Sequence, residues 1–243
     1  MAKNNALNFN LPSADNLFST EEERTEARLE KVVSLNPSEI SDFPDHPFKV
    51  RMDSAMQEMA ESVKQYGVLV PALVRPKQLG GYEMVAGHRR KKAADLAGLA
   101  EIPCIVRQLT DDEATIIMVD SNLQREQILP SEKAFAYKLK LEAMKRQGKR
   151  TDLTSAQIEP KFRSNELLAE NSPDSRPQIQ RYIRLTNLIP PILDMVDEKR
   201  IAFTPAVELS YLQPEEQTML LSEMEYNDCT PNLSQAQCLK ALS

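Results

Sequence analysis

From Lys31 onward the apolar positions fall into short periodic runs. Val32, Val33 and Leu35 predict a strand, and Asn36-Pro37 and the Pro44 to Pro47 stretch predict an irregular loop. Asp53 is placed to cap a helix in which Met56, Met59, Ala60 and Val63 share one face at i, i+3, i+4 and i+7, with Gly67 as its stop. Ala72 to Arg75 and Tyr82 to Ala86 predict paired strands across Gln78 to Gly81, where two glycines permit positive φ. His88 to Ala97 reads as a helix ending near Gly98, and Ile102 to Val106 as a strand. Asp111 reads as the cap of a helix carrying Ile116, Val119 and Leu123.

Beyond this mixed α+β order the pattern is helical. Pro130 opens a long helix through about Arg146, and the polar segment Gly148 to Arg163 predicts a flexible connection. Breaks at Asn171 to Asp174, Pro190-Pro191, Pro205, Pro214 and Pro231 predict short packed helices. The first thirty residues are polar, with Ser19 or Thr20 placed to cap a short charged helix at Glu21 to Glu23, and read as an appendage. The expected organisation is an arm over 1–30, an α+β domain over 31–127, an all-α domain over 128–189, and supporting helices over 190–243.

Charge changes this picture only when divided along the chain. The total is -6, but residues 1–30 hold three basic and six acidic groups, and residues 190–243 hold three and nine. The remainder is therefore net basic, and from Lys133 to Arg150 seven basic groups face only Glu142. That stretch can meet phosphate, or it can be a solvated helix face. No run approaches the roughly 18 apolar residues of a membrane helix, and MAKNNALNFN does not read as a signal peptide, so a cytoplasmic protein is expected. Three cysteines and two histidines without paired spacing predict neither a disulfide framework nor a zinc site.

Three segments carry candidate chemistry for DNA and phosphate. Asn165 to Glu170, a turn at Asn171 to Asp174 and a second helix from Ser175 have helix-turn-helix proportions. Ser175 and Gln178 have capping-box spacing, and Pro177 suits a first turn. Ile179, Tyr182 and Ile183 fall on one face of the second helix. Arg176, Gln180, Arg184 and Asn187 fall on the other, with Arg181 beside them, as base and phosphate contacts require. An ordinary amphipathic helix in a bundle fits the same pattern. At the predicted strand-to-helix turn, Gly87, His88, Arg89 and Arg90 offer close backbone approach, helix N-terminal amides and forked donors for a nucleotide triphosphate, though the same cations fit a solvated face or direct contact with DNA. Asn122, Gln124 and Arg125 mix metal-compatible and phosphate-compatible groups at the junction before Pro130, where pairing of Arg125 with Glu126 in a structural role fits equally.

Taken in order, SVKQYGVLVPALVRP, VAGHRRKKAADLAG, SNLQREQILPSEKA and the downstream helix-turn-helix resemble the ParB/Spo0J family over about residues 31–210. Within the family the chain resembles the versions encoded on mobile elements and plasmids of Gram-positive bacteria. The resemblance implies a ParB-like nucleotide-binding domain followed by a helix-turn-helix domain. It further implies CTP with Mg2+ as ligands, a palindromic centromere-like DNA site, closure of a dimer into a sliding clamp, a ParA-type ATPase partner, and association with nucleoid or plasmid. It places nucleotide binding on Gly67, Gly87, His88, Arg89, Arg90, Asn122, Gln124 and Arg125, with Asn122 toward metal. Ser175, Arg176, Gln178, Gln180, Arg181 and Arg184 are the expected DNA-binding set.

Two departures bear on catalysis. His88 stands where the first family box has glutamate, and Ser121 where the second has glutamate before its asparagine. Loss of two carboxylates weakens metal binding or hydrolysis more than phosphate recognition, so CTPase activity is expected to be weak or absent. Asp120 lies one residue early, about 100° around the helix. The early end at Ser243 leaves little room for the family's C-terminal dimerisation domain. Alternative readings are a mobile-element transcriptional regulator without nucleotide dependence, and a ParB-like kinase or nuclease.

Overall fold

The computed structural model describes residues 31–151 and 167–243, apart from positions 45, 49, 51, 79, 126 and 171. The predicted N-terminal arm, most of the predicted connection, and Asn165 and Asn171 of the helix-turn-helix lie outside the described residues.

Strands β1 (Val32–Leu35), β2 (Ile40–Ser41), β3 (Ala72–Pro76), β4 (Tyr82–Ala86) and β5 (Ile102–Val106) form one mixed sheet in the order β1-β5-β3-β4-β2. The β3–β4 pair is the expected antiparallel hairpin, and Gly80 and Gly81 at its turn have φ of 91° and 75°. The short β2, parallel to β4, falls in the Asn36 to Pro47 stretch that read as loop. Alternation along the strands splits the core. Val74 and Met84 face helices α1 (Ser54–Tyr66) and α2 (His88–Ala97) through Met56, Val63, Ala93 and Ala94. Leu73 and Val85 face helix α3 (Asp111–Leu123) through Ala114, Met118 and Val119.

Local signals fix the helix ends. The Asp53 carboxylate accepts from the Met56 amide at 2.9 Å, and Gly67 ends α1 with its N–H on the Val63 carbonyl. The cap of α3 is Thr110 rather than Asp111: Thr110 and Glu113 form a reciprocal capping box. Asp111 instead accepts from Arg75 at 2.6 Å, because its position in the first turn leaves its carboxylate free to cross to β3.

Helix α4 (Pro130–Thr151) runs five residues past the expected end. It lies on α3, and Ala136, Tyr137 and Leu141 share one core with Leu168 and with Ile179 of helix α5 (Arg176–Leu185). Helices α6 (Pro190–Asp197), α7 (Phe203–Leu209), α8 (Pro214–Asn227) and α9 (Leu233–Leu242) build a second helical core with Leu185 and Leu188. Pro190 and Pro214 open helices, and Pro205 sits in the first turn of α7, where a missing N–H is harmless. No described helix is long and apolar enough to cross a membrane.

Candidate functional site

Gly87 joins β4 to α2 with φ of 115°, a left-handed conformation that L side chains rarely adopt. A Cβ there would lie 2.9 Å from the Ala72 Cβ, so the turn packs directly on β3. The α2 N-terminus has no side-chain cap, which leaves its first amides available to an anion. The three residues that follow take different directions. His88 is buried. Arg89 has a buried Nε without a hydrogen-bond partner and a weak pairing, 3.9 Å, with Asp53. Arg90 donates to the carbonyls of Val70 and Pro71 at 2.7 and 2.5 Å, tying α2 to the segment that follows Gly67.

At the far end of α3, Asn122 is buried and its amide donates to the Met118 carbonyl at 2.7 Å. Gln124 is exposed, and Arg125 lies over the Phe48 ring at 5.7 Å. The loop that sequence periodicity left unread joins the two boxes. His46 anchors on the Phe48 carbonyl at 2.7 Å and places its ring 4.1 Å from that of His88, while Phe48 supports Arg125. The available sequence signal for His46 was that it is one of only two histidines in the chain.

Electrostatics mark this as cationic ground. Burial pushes the Arg125 guanidinium below its ordinary pKa, and the nearby charge of Arg89 pushes it further. Burial and the charge-sensitive neighbour His46 bring His88 down to about 3, so both rings are neutral near pH 7. Lys91 pairs with Asp42 at 3.0 Å beside a cavity of about 360 Å3 lined by His46, His88, Lys91 and Lys92, where Asp42 and Asp95 balance the two lysines. Among the described residues no three His, Cys, Asp or Glu side chains gather to hold a metal ion. Asp120 does not replace the missing carboxylates, since it pairs with the buried ammonium of Lys140 at 2.5 Å. The donor set does not fit a protein-built magnesium site, which wants carboxylate oxygens.

The second candidate region is α5. Its apolar face is as read: Ile179 is buried, and Tyr182 packs between Tyr137 and Phe203. Ser175 precedes α5 but makes no side-chain cap hydrogen bond, so the expected Ser175–Gln178 capping box does not form. With Pro177 at the second position, one of the amides a cap would serve is missing. Arg176 and Gln180 are exposed, whereas Arg181 and Arg184 are half-buried. Arg181 donates to the Thr204 hydroxyl at 3.1 Å and lies over Phe203; Arg184 lies 3.8 Å over Tyr211, whose ring also receives Lys240 at 3.7 Å. Gln178 is half-buried in the first turn.

The chain is therefore a two-part protein, a mixed-sheet domain with an arginine-bearing helix N-terminus leading through one long helix into an all-helical region. The ParB N-terminal domain profile matches residues 21–123. The chain is 35% identical over 193 residues to chromosome-partitioning protein Spo0J of Thermus thermophilus, covering 79% of this chain and 65% of that one. It is 39% identical over 168 residues to stage 0 sporulation protein J of Bacillus subtilis, covering 69% and 51%. It is 30% identical over 218 residues to a nucleoid occlusion protein of Listeria innocua, covering 89% and 71%. The chain belongs to the ParB/Spo0J family. It spans about half to two thirds of the length of the two partition and sporulation relatives. Its fold is also that of solved structures: C-terminally truncated ParB of Caulobacter crescentus complexed to the centromeric parS site, at TM-score 0.51 and 22% identity, covers 87% of this chain and 100% of that one. A Pnob8-like ParB-N domain matches at TM-score 0.52 and 12% identity, covering 82% and 84%.

Proposed function

We propose that this chain is a DNA-binding partition protein of ParB type whose N-terminal domain takes CTP as a gating ligand. The observation that carries the nucleotide half is the convergence of the two boxes. Arg89 and Arg125 are drawn together between α2 and α3, one with an unpartnered buried Nε and the other depressed by its neighbour's charge. Two guanidiniums held this way are stabilised by an anion, and the uncapped α2 N-terminus behind Gly87 supplies further donors. A magnesium ion would be held by the nucleotide's own phosphates. With His88 and Ser121 in place of carboxylates, bound CTP is held with little hydrolysis.

The DNA half rests on α5, whose apolar face is packed and whose Arg176 and Gln180 are exposed, and on the Thermus thermophilus relative, which is named for chromosome partitioning. The DNA site is a centromere-like palindrome read by two copies, and a ParA-type ATPase is the motor partner. In the cell this places the protein on nucleoid or plasmid DNA.

Calorimetric titration of the full chain with CTP, ATP, GTP and UTP, with and without Mg2+ and site-bearing DNA, tests the nucleotide half. CTP-selective binding is expected. No heat at millimolar nucleotide, with DNA present, would leave a nucleotide-independent regulator. Sequencing the DNA that immunoprecipitates with the protein tests the other half, and enrichment of a palindromic site is expected.

A further inference from the structure

Helix α4 carries three polar groups on one face: Lys133, Tyr137 and Lys140 stand at i, i+4 and i+7. Together they reach two carboxylates, one on α3 and one in the turn before α5. Lys140 is only 2% exposed, and its ammonium meets Asp120 of α3 at 2.5 Å. Lys133 and Tyr137 both donate to the same Oδ2 of Asp174, at 2.9 and 2.6 Å. Asp120 lies two residues before Asn122 in the second box, and Asp174 lies two residues before the first residue of α5. One face of one helix therefore holds both the end of the phosphate-site helix and the turn that starts the DNA-facing helix.

We propose that this face makes Asp120, Lys140, Tyr137 and Asp174 positioning residues that couple the nucleotide site to the orientation of α5. The proposal rests on the functional reading above for what the two ends bind, but the coupling is a property of the chain itself. A buried ammonium without its carboxylate is strongly unfavourable, so Lys140 and Asp120 move together. Around the pairs, Met118, Ala136, Tyr137, Leu141, Leu168 and Ile179 share one apolar core. A close-packed core switches between discrete arrangements instead of deforming smoothly, so a shift of the α3 end is passed along α4. Asp174 receives it through two donors one turn apart, which fixes the turn in direction as well as distance.

The test is hydrogen exchange by mass spectrometry on the full chain, with peptides from α6 and α7 as an internal reference. Asp120→Asn removes the pair but leaves the ammonium buried. The double substitution Asp120→Leu with Lys140→Met removes both charges and carries the test if the single variant does not fold. Exchange over residues 172–179 should rise several-fold relative to the reference. Asp174→Asn should reciprocally raise exchange over residues 118–125, as linkage requires. A rise confined to each substitution's own surroundings, or an equal rise across the whole chain, would overturn the coupling. Failure of the functional reading is seen separately: CTP would then leave exchange over residues 85–92 of the unsubstituted chain unchanged.

Discussion

The imidazoles of His46 and His88 lie 4.1 Å apart between ring centroids, inclined at 52°, and the Nε2 of each is buried without a hydrogen-bond partner. Each ring therefore resists protonation. Burial is the main cause, Arg125 and Lys91 add repulsion at His88, and Asp42 offsets only part of it. His88 titrates near 3 in the folded chain and near 6.5 when unfolded. Between those values the unfolded chain binds more protons, so stability rises with pH and is lost on acidification from about pH 6.5 toward 3. Each unit within that window costs up to about 1.4 kcal/mol. Urea midpoints measured at pH 7 and pH 5 should fall on acidification, and His88→Gln should reduce the fall.

Gly87→Ala should destabilise the sheet domain. The new Cβ would meet the Ala72 Cβ at 2.9 Å and would also have to occupy φ of 115°. A cost on the order of 1–3 kcal/mol is expected. Thermal denaturation reads it, and Ala72→Gly in the same chain should recover only the steric share, since the backbone strain remains.

Removing one member of the arginine pair should weaken nucleotide binding while leaving the fold intact. Loss of a charge-assisted hydrogen bond of about 1.5–3 kcal/mol corresponds to roughly 10–100-fold in Kd. Arg125→Ala relieves Arg89 of a like charge but also uncovers the Phe48 ring, so its melting temperature without nucleotide should change little. Calorimetry with CTP and a melting curve on the same sample separate the two effects.

Along α5 the polar residues should behave in two groups. Arg176→Ala and Gln180→Ala alter exposed positions and should lower DNA affinity by about 1–3 kcal/mol for a base contact, with little change in stability. Arg184→Ala removes the cation stacked on Tyr211, so it should lower the melting temperature as well. Fluorescence anisotropy with site DNA, paired with denaturation, distinguishes the groups.

Gln217 is fully buried and closes the helical core around three backbone groups. It accepts from the Ile189 amide at 2.8 Å and donates to the carbonyls of Asn187 and Leu212 at 3.1 and 2.9 Å. Gln217→Leu keeps the approximate volume but leaves those groups unmet, at about 1–3 kcal/mol apiece before relaxation. A marked drop in the urea midpoint is expected, and an unchanged midpoint would show that water serves the freed groups.

The sequence by itself determined what depends on near neighbours along the chain. Strands β1, β3, β4 and β5, the hairpin with its two positive-φ glycines, the Asp53 cap and Gly67 stop of α1, and the apolar face of α5 follow from period, capping and turn chemistry. The family was equally legible, because it is written in motif order. Tertiary structure decided what depends on residues far apart. β2 has only two residues and exists because β4 offers an edge for Ile40 and Ser41. Thr110 caps α3 through a local box with Glu113, and only packing carries the freed Asp111 carboxylate to Arg75 of β3. No local pattern could bring His46 onto His88, lay Arg184 on Tyr211, or bind Lys140 to Asp120, since each contact joins elements separated by 20 to 42 positions. Such contacts form when packing has already fixed the backbone, and they settle which candidate residues face a ligand and which hold the fold.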